Sequence, residues 1–244
     1  MASLLQERTR LRTARSLNSI LSAMQVVTVV RLQKAKRRVA QVEAYLAPLK
    51  KILQGRIETD PSVRRKKQLI VLSSNRGLCG SFNSNLLARV EEFSRERPGL
   101  EFIAFGRRGF DYLRRRKFTV RLADEVVVDK VDFKRAEAQL TQTLDPTAEI
   151  YLAYNEATSV VSVKPHLVRF YPLPEELAGA VRLDETILEP GPERLSREIF
   201  EHFLAARFFQ ALLQSHLGEL SARLLVLNSA VENSRDLITD LTLT

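Results

Sequence analysis

The residues able to do chemistry gather at one turn. Residues 73–81 read SSNRGLCGS and hold the chain's only cysteine, Cys79, three positions after Arg76. A cation beside a thiol lowers its pKa and can turn it into a nucleophile, but no histidine stands close in sequence to act as its base. Gly77 and Gly80 of the same turn precede a candidate helix, a place where bare backbone N–H groups can cradle a phosphate. Neither G-x-x-x-x-G-K-[ST] nor G-x-G-x-x-G occurs, however. A tight strand-to-helix turn needs glycine for its own reasons and explains the pair more simply. His166, His202 and His216 share no metal spacing. The last two lie fourteen residues apart on one helical stretch, about 21 Å at the helical rise and too far for one ion. No carboxylate pair or Ser/His/Asp arrangement stands out. The basic runs at 64–67 and 114–117 can touch phosphates but carry little aromatic interleaving for stacking bases. The reading is therefore of no catalytic residue, no cofactor, no metal and no specific nucleic-acid partner.

Two long helices frame this turn. From Ile199 onward apolar side chains recur at alternating steps of four and three: Ile199, Phe203, Ala206, Gln210, Leu213, Leu217, Leu220, Leu224, Leu227, Val231, Ser234, Ile238, Leu241. A 3.5-residue repeat held this long predicts a helix whose seam faces one partner helix. Pro192 suits a first helical position, and 192–244 would span roughly 80 Å. A second seam runs through Leu11, Ala14, Asn18, Leu21, Gln25, Thr28, Leu32, Ala35, Val39, Val42, Leu46, Leu49 and Leu53, with Ile20, Met24, Val27 and Val30 beside it. Pro48 is expected to kink or end that helix near Ala47. The basic run Lys34, Lys36, Arg37, Arg38 falls largely off the seam, either as a solvated face or as a functional collar. Two seams at opposite ends of one chain pair most simply as an antiparallel coiled coil, with the middle of the chain at one end.

That middle changes pattern. Residues 55–67 form a polar linker, 69–72 a buried strand, and a helix opens near Asn83 with Leu86, Leu87, Val90 and Phe93 inward. Strands follow at 100–105, 126–128 and 149–154, a turn at 106–109, and helices at 110–116 and 133–144. Residues 160–163 and 167–171 flank Pro165 as a hairpin or edge extension, and the proline-rich residues 172–192 lead back to the long helix. Strands alternating with helices predict a small, mostly parallel, Rossmann-like α/β domain. The fold class is thus α/β with a long antiparallel coiled coil, divided as 1–54 (first shaft helix), 68–172 (central domain) and 192–244 (second shaft helix).

Composition adds limits. With 244 residues and 45% hydrophobic content the chain can bury one good core plus an extension. No apolar run reaches about 18 residues, so no membrane-spanning helix is expected. One cysteine leaves no disulfide framework and fits a reducing compartment. The Arg-rich start, MASLLQERTRLRTARSLN, lacks a secretory h-region and runs into the helical repeat, so it reads as mature protein. A net charge of +9 asks for acidic surroundings: nucleic acid, anionic lipid or an acidic protein.

The chain resembles the gamma subunits of F-type ATP synthases. The resemblance rests on residues 75–83 (NRGLCGSFN), on 20–30 (ILSAMQVVTVV) around Ala23 and Met24, on weaker matches at 106–116 and 154–156, and on Glu189–Pro190, Ala222, Arg223 and residues 230–243. It implies a rotor stalk that transmits torque between a membrane c ring and a catalytic ring of alpha and beta subunits, without bond chemistry of its own. It further implies shaft-to-ring contacts through Met24, Val27, Arg31, Arg223 and Leu227, and a contact to the epsilon subunit through the collar from Lys34 to Arg38. A foot on the c ring would use Glu185, Thr186, Leu188 and Glu189. Membrane association would be indirect, at the cytoplasmic face of a bacterial inner membrane. Ser19, Ser22 and Gln25 stand where the family is usually basic, Asn75 where it usually has aspartate, and Leu224 and Leu227 where it has methionines. The family's helix would continue past residue 244. Rival readings are a non-rotary coiled-coil interaction protein, a basic nucleic-acid-binding protein and an α/β enzyme using Cys79.

Overall fold

A computed structural model describes residues 2–53, 66–124, 131–145, 147–159, 162–173 and 192–243. Helix α1 (Ala2–Leu53) opens the chain, followed by β1 (Lys66–Leu72), α2 (Phe82–Arg95), β2 (Leu100–Phe105), α3 (Arg107–Arg115), β3 (Val120–Asp124), α4 (Phe133–Thr143), β4 (Ala148–Ala157), β5 (Val163–Tyr171) and α5 (Pro192–Leu243).

The five strands form one sheet in the order β3-β2-β1-β4-β5. The first four are parallel, and β5 pairs antiparallel with β4. Alternation along β1 sorts its side chains between two cores. Leu69 and Val71 join Leu86, Leu87 and Val90 of α2 and Leu113 of α3. Ile70 and Leu72 face the opposite way, onto Leu140 of α4, Phe208 and Leu212 of α5, and Val39 and Leu46 of α1. Pro165 falls in edge strand β5, where a missing N–H is tolerated.

Both seams are formed. On α1, Ala14, Thr28, Leu32, Ala35, Val39 and Leu46 are buried, and on α5 Phe203, Ala206, Leu213, Leu220, Leu227 and Val231. Leu32, Ala35 and Leu220 form a small core of their own between the helices. The narrow-seam picture holds only for the upper part of α5. Between Phe203 and Ser215 nearly every side chain is buried, including Leu204, Ala205, Phe208, Phe209, Ala211 and Leu212. A helix apolar all round belongs inside a core. One continuous helix is thus first a buried element of the base and then half of the shaft.

Several sequence expectations need correction. Helix α1 does not end at Ala47 but runs through Pro48 to Leu53. The N–H that proline lacks would have bonded Ala44, and both residues are exposed, so water can serve that carbonyl. The expected turn at 106–109 is instead the start of α3, because the preceding loop caps it. Lys66 and Lys67, expected in the linker, begin β1. Strand β3 lies at Val120–Asp124; the expected strand at 126–128 is outside the described residues.

Candidate functional site: the joint between shaft and base

The turn after β1 is a knot of short polar side chains. Ser74 N–H donates to Asn83 Oδ1 (3.1 Å), and Asn83 Nδ2 donates to Ser74 Oγ (2.8 Å) and to the Cys79 sulfur (3.3 Å). The Ser74 hydroxyl itself donates to the Arg76 carbonyl at 2.7 Å. The same loop caps α3. The Arg107 N–H donates to Asn75 Oδ1 (2.9 Å), that of Arg108 to the Ser74 carbonyl (3.0 Å), and that of Gly109 to Ser73 Oγ (2.8 Å). A helix start leaves such donors without partners inside the helix, and Ser73, Ser74 and Asn75 satisfy three in a row. The approach is close enough to demand glycine at 106. Its φ is +103°, and a Cβ there would lie 2.1 Å from the Ser73 carbonyl oxygen.

Helix α5 is fastened to this knot. The Ser215 hydroxyl donates to the Leu72 carbonyl at the end of β1 (3.2 Å). Arg223 Nη2 donates to Glu219 and reaches the Gly77 carbonyl at 3.4 Å. Buried Asn155, on β4, donates to the Phe82 carbonyl at 2.9 Å, and a Cβ on Gly218 would meet Val163 at 3.0 Å and Phe82 at 3.4 Å. In open α/β sheets, ligands usually enter the crevice at the carboxyl ends of the strands where the strand order reverses. Here that point lies between β1 and β4, and α5 fills it with Ser215 and Gly218.

Above the knot is an open cleft of about 780 Å³ between α1, the turn and α5, lined in part by Met24, Val27, Arg31, Arg76, Glu219 and Arg223. Burial works to raise the Glu219 carboxyl, but the neighbouring His216 and Arg223 outweigh it and hold that carboxyl below its ordinary value. His216 Nδ1 lies 3.7 Å from Glu219 Oε2. Burial pushes the Cys79 thiol up, with Glu219 adding to the rise, against the opposing Ser74 hydrogen bond and the Arg223 and Arg108 charges. At 3% exposure, Cys79 is a packed neutral thiol and not the cation-activated nucleophile that Arg76 suggested.

Of the residues expected to contact partner subunits, the structure brings four to one place: Met24, Val27, Arg31 and Arg223 all line the cleft. Val27 is 50% exposed, whereas the Arg223 side chain is only 14% exposed. Leu227 is 1% exposed and closed into the seam, so it supports the shaft and presents no surface. Lys34 is exposed. Arg38 donates to the Val131 carbonyl and lies over the Phe209 ring at 5.6 Å, which ties α1 to the base and leaves the collar to Lys34, Lys36 and Arg37. Glu185, Thr186, Leu188 and Glu189 lie outside the described residues. Sequence reasoning missed Glu219 and Ser215, although the spacing of Glu219 to Arg223, one helical turn, carried the signal.

A shaft of two antiparallel helices, rooted by one of them in an α/β base, defines a stalk-type subunit. Comparison with known proteins agrees: a family model described as ATP synthase matches residues 3–244. An ATP synthase gamma chain from Pelotomaculum thermopropionicum is 30% identical over 260 residues, covering 100% of this chain and 91% of that protein. One from Geotalea daltonii is 31% identical over 264 residues with the same coverage. Among solved structures, the rotor of the Euglena gracilis mitochondrial ATP synthase shares the fold, with a TM-score of 0.72 and 20% identity over 99% of this chain and 95% of that one. The chain belongs to the ATP synthase gamma-chain family.

Proposed function

We propose that the chain is the torque-bearing axle of a rotary ATP synthase, non-catalytic itself, turning within a ring of alpha and beta subunits above a membrane c ring. The observation that carries this reading is the continuity of α5, which is core helix of the base over 203–215 and shaft helix beyond. Torque applied to the base passes into the shaft through one unbroken backbone, with α1 wound against it. Biasing ring subunits among conformations requires that the shaft touch those conformations differently. The side chains suited to this are the exposed Val27 and Arg31 and the half-buried Met24, with Arg223 behind them.

Charge placement supports the same reading. Helix α1 holds eleven Lys and Arg against two Glu, while the rest of the chain carries 27 of each sign, so the net +9 is that of α1. Residues 16–30 within it have no charge and leave Leu17, Ile20, Val26, Val27 and Val30 at least half exposed. On its own side of the shaft, this uncharged waist of α1 between basic belts suits rotation against an enclosing surface, because no ion pair of that helix has to break at each step, although the facing stretch of α5 carries exposed Glu232, Arg235 and Asp236. Lys34, with Arg38 anchoring the collar, would face the epsilon subunit, and Glu185, Thr186, Leu188 and Glu189 the c ring. The working bodies would be 1–54 with 192–244 as shaft and 68–172 as base. The placement is peripheral, at the cytoplasmic face of a bacterial inner membrane. Co-expression with alpha, beta and epsilon subunits tests the proposal: a complex whose ATPase activity requires this chain is expected, and assembly without it would refute the axle.

A further inference from the structure

One pole of the base ends in a basic corner. Helix α5 climbs the sheet from Phe200, whose ring lies 6.2 Å from that of Tyr171, opposite Ile150 near the start of β4. It reaches the other end of the sheet at Ser215, which bonds the Leu72 carbonyl, and continues beyond as the shaft. The carboxyl ends of the parallel strands therefore face the shaft, and their amino ends face away from it. Since β2 and β3 are parallel, α3 between them has to run back down the sheet, and its last turn arrives at the amino-end pole. There the chain reads Arg114, Arg115, Arg116, Lys117, all four exposed. Arg116 pairs with Glu91 of α2 at 3.1 Å. Exposed Arg95 follows Glu91 by one turn on the same face of that helix, so the ends of α2 and α3 meet in one corner. Lys66 and Arg97 lie at the same pole but are answered by Asp145 and Glu96.

Cations at a helix C-terminus complement its dipole, which accounts for Arg114 and Arg115 but not for Lys117. The helix closes with a Schellman pair: Phe118 N–H donates to the Leu113 carbonyl (3.1 Å) and Lys117 N–H to that of Arg114 (3.0 Å). Lys117 itself sits at φ +63°, the left-handed position that glycine fills without strain. A lysine there weakens the helix stop and adds a charge to the corner, and strain of this kind collects at functional positions. The neighbouring rings, Tyr112 and Phe118, pack inward on the core beneath α2 and α3, so the corner presents charge without an apolar centre. A protein interface draws its energy from such a centre, and single-stranded nucleic acid stacks on exposed rings. An array of phosphate headgroups requires neither. We infer that the corner of Arg95, Arg114, Arg115, Arg116 and Lys117 contacts the anionic headgroups of the bilayer directly. The inference rests on the axle reading for its orientation, because there the pole opposite the shaft is the membrane side.

The experiment assembles the chain with alpha and beta subunits and measures co-sedimentation with mixed phosphatidylglycerol and phosphatidylcholine vesicles, against phosphatidylcholine alone. Beside the parent stand a corner variant (Arg114→Gln, Arg115→Gln, Lys117→Gly) and a charge-matched variant of α1 (Arg8→Gln, Arg12→Gln, Arg15→Gln), whose three arginines are also exposed. Each basic residue near an anionic surface strengthens binding roughly fivefold. The corner variant should therefore bind anionic vesicles about 100-fold more weakly than the parent, and the α1 variant like the parent. Lys117→Gly alone should raise the melting temperature of the chain while weakening vesicle binding about fivefold. A lower melting temperature with unchanged vesicle binding would make Lys117 structural and overturn the inference. Equal losses in the corner and α1 variants would mean that net charge alone drives binding, which overturns it and leaves the axle intact. Binding of a short DNA duplex, lost in the corner variant while vesicle binding is unchanged, would assign the corner to nucleic acid instead. A parent chain that does not assemble with alpha and beta removes the axle reading, and with it the orientation on which the lipid contact stands.

Discussion

Asn18 and Ser234 face each other across the coiled coil, the Ser234 hydroxyl donating to the Asn18 side-chain oxygen at 2.9 Å although 216 positions separate them in sequence. One helical stage nearer the base, Gln25 Nε2 donates to Asn228 Oδ1 at 2.8 Å. Further down, Gln214 Nε2 donates to Glu43 Oε1 at 3.0 Å. As the position on α1 rises, its partner on α5 falls, which is the signature of an antiparallel pair. Polar residues that interrupt an apolar seam fix its register at some cost in stability.

A double-mutant cycle on Gln25 and Asn228 should expose that role. Asn228→Leu strands the Gln25 amide in the seam and is expected to cost about 1–3 kcal/mol. Adding Gln25→Leu should recover most of the loss, giving a coupling energy of about 1 kcal/mol or more. Additive losses in urea denaturation would mean that the hydrogen bond does not set the register.

Gly106 and Gly99 both adopt positive φ but differ in their surroundings. A Cβ on Gly106 would sit 2.1 Å from the Ser73 carbonyl, whereas one on Gly99 meets nothing within 4 Å. Gly99→Ala should therefore cost only the backbone strain, about 1 kcal/mol. Gly106→Ala must also push α3 away from the turn, and should lose several kcal/mol or fail to fold. Equal melting temperatures for the two variants would contradict the described packing.

The two seams were legible because a 3.5-residue repeat survives even where single positions are polar: Asn18, Gln25 and Ser234 kept the phase, Asn18 and Ser234 proved to be partners, and Gln25 pairs with Asn228. Strand 100–105 was legible from its apolar run. The start of α3 was not, since glycines at 106 and 109 read locally as a turn, and only the tertiary approach of Ser73 makes them helix-compatible. Strand β3, with Arg121 and Asp124 in five residues, lacked the apolar run that marks a buried strand, as an edge position allows. At the joint, Met24 and Arg223 could be named from the family resemblance. That α5 would close the sheet's ligand crevice could not, because it depends on the path of a helix that begins far along the chain.

The depressed Glu219 carboxyl gives a signed pH dependence. Its ordinary value is 4.5 and its folded value lies lower, so its contribution to stability is fully present above 4.5 and disappears as the pH falls through the folded value. The melting temperature of the parent should exceed that of Glu219→Gln by a constant margin at neutral and mildly acidic pH. Below 4.5 the margin should close. A margin that persists unchanged into strong acid would show that Glu219 acts through packing rather than charge.

Cys79→Ala should leave ATPase activity of the assembled complex unchanged and lower stability by about 1 kcal/mol through lost packing. Since the thiol's ordinary value is 9.0 and burial raises it, the folded chain should resist alkylation at neutral pH, and its stability should decline as pH rises past 9.0 because only the unfolded thiol ionises. Rapid modification by iodoacetamide under native conditions would restore the reactive-thiol reading.

Val27 and Leu227 separate the surface of the shaft from its interior. Both were named as ring contacts, yet one is 50% exposed and the other 1% exposed. Leu227→Ala opens the seam and should cost about 2–5 kcal/mol, so any loss of coupling it causes should track the fraction of chain unfolded. Val27→Ala should lie within about 0.5 kcal/mol of the parent. Val27→Lys places a charge within the uncharged waist, where an enclosing partner cannot hydrate it. It should therefore leave the melting temperature of the isolated chain unchanged while slowing ATP-driven turnover in the assembled complex. The kinetic loss is predicted to appear only on assembly, because the waist acquires a low-dielectric neighbour only there. Full turnover in Val27→Lys would mean that nothing closes around the shaft at this level.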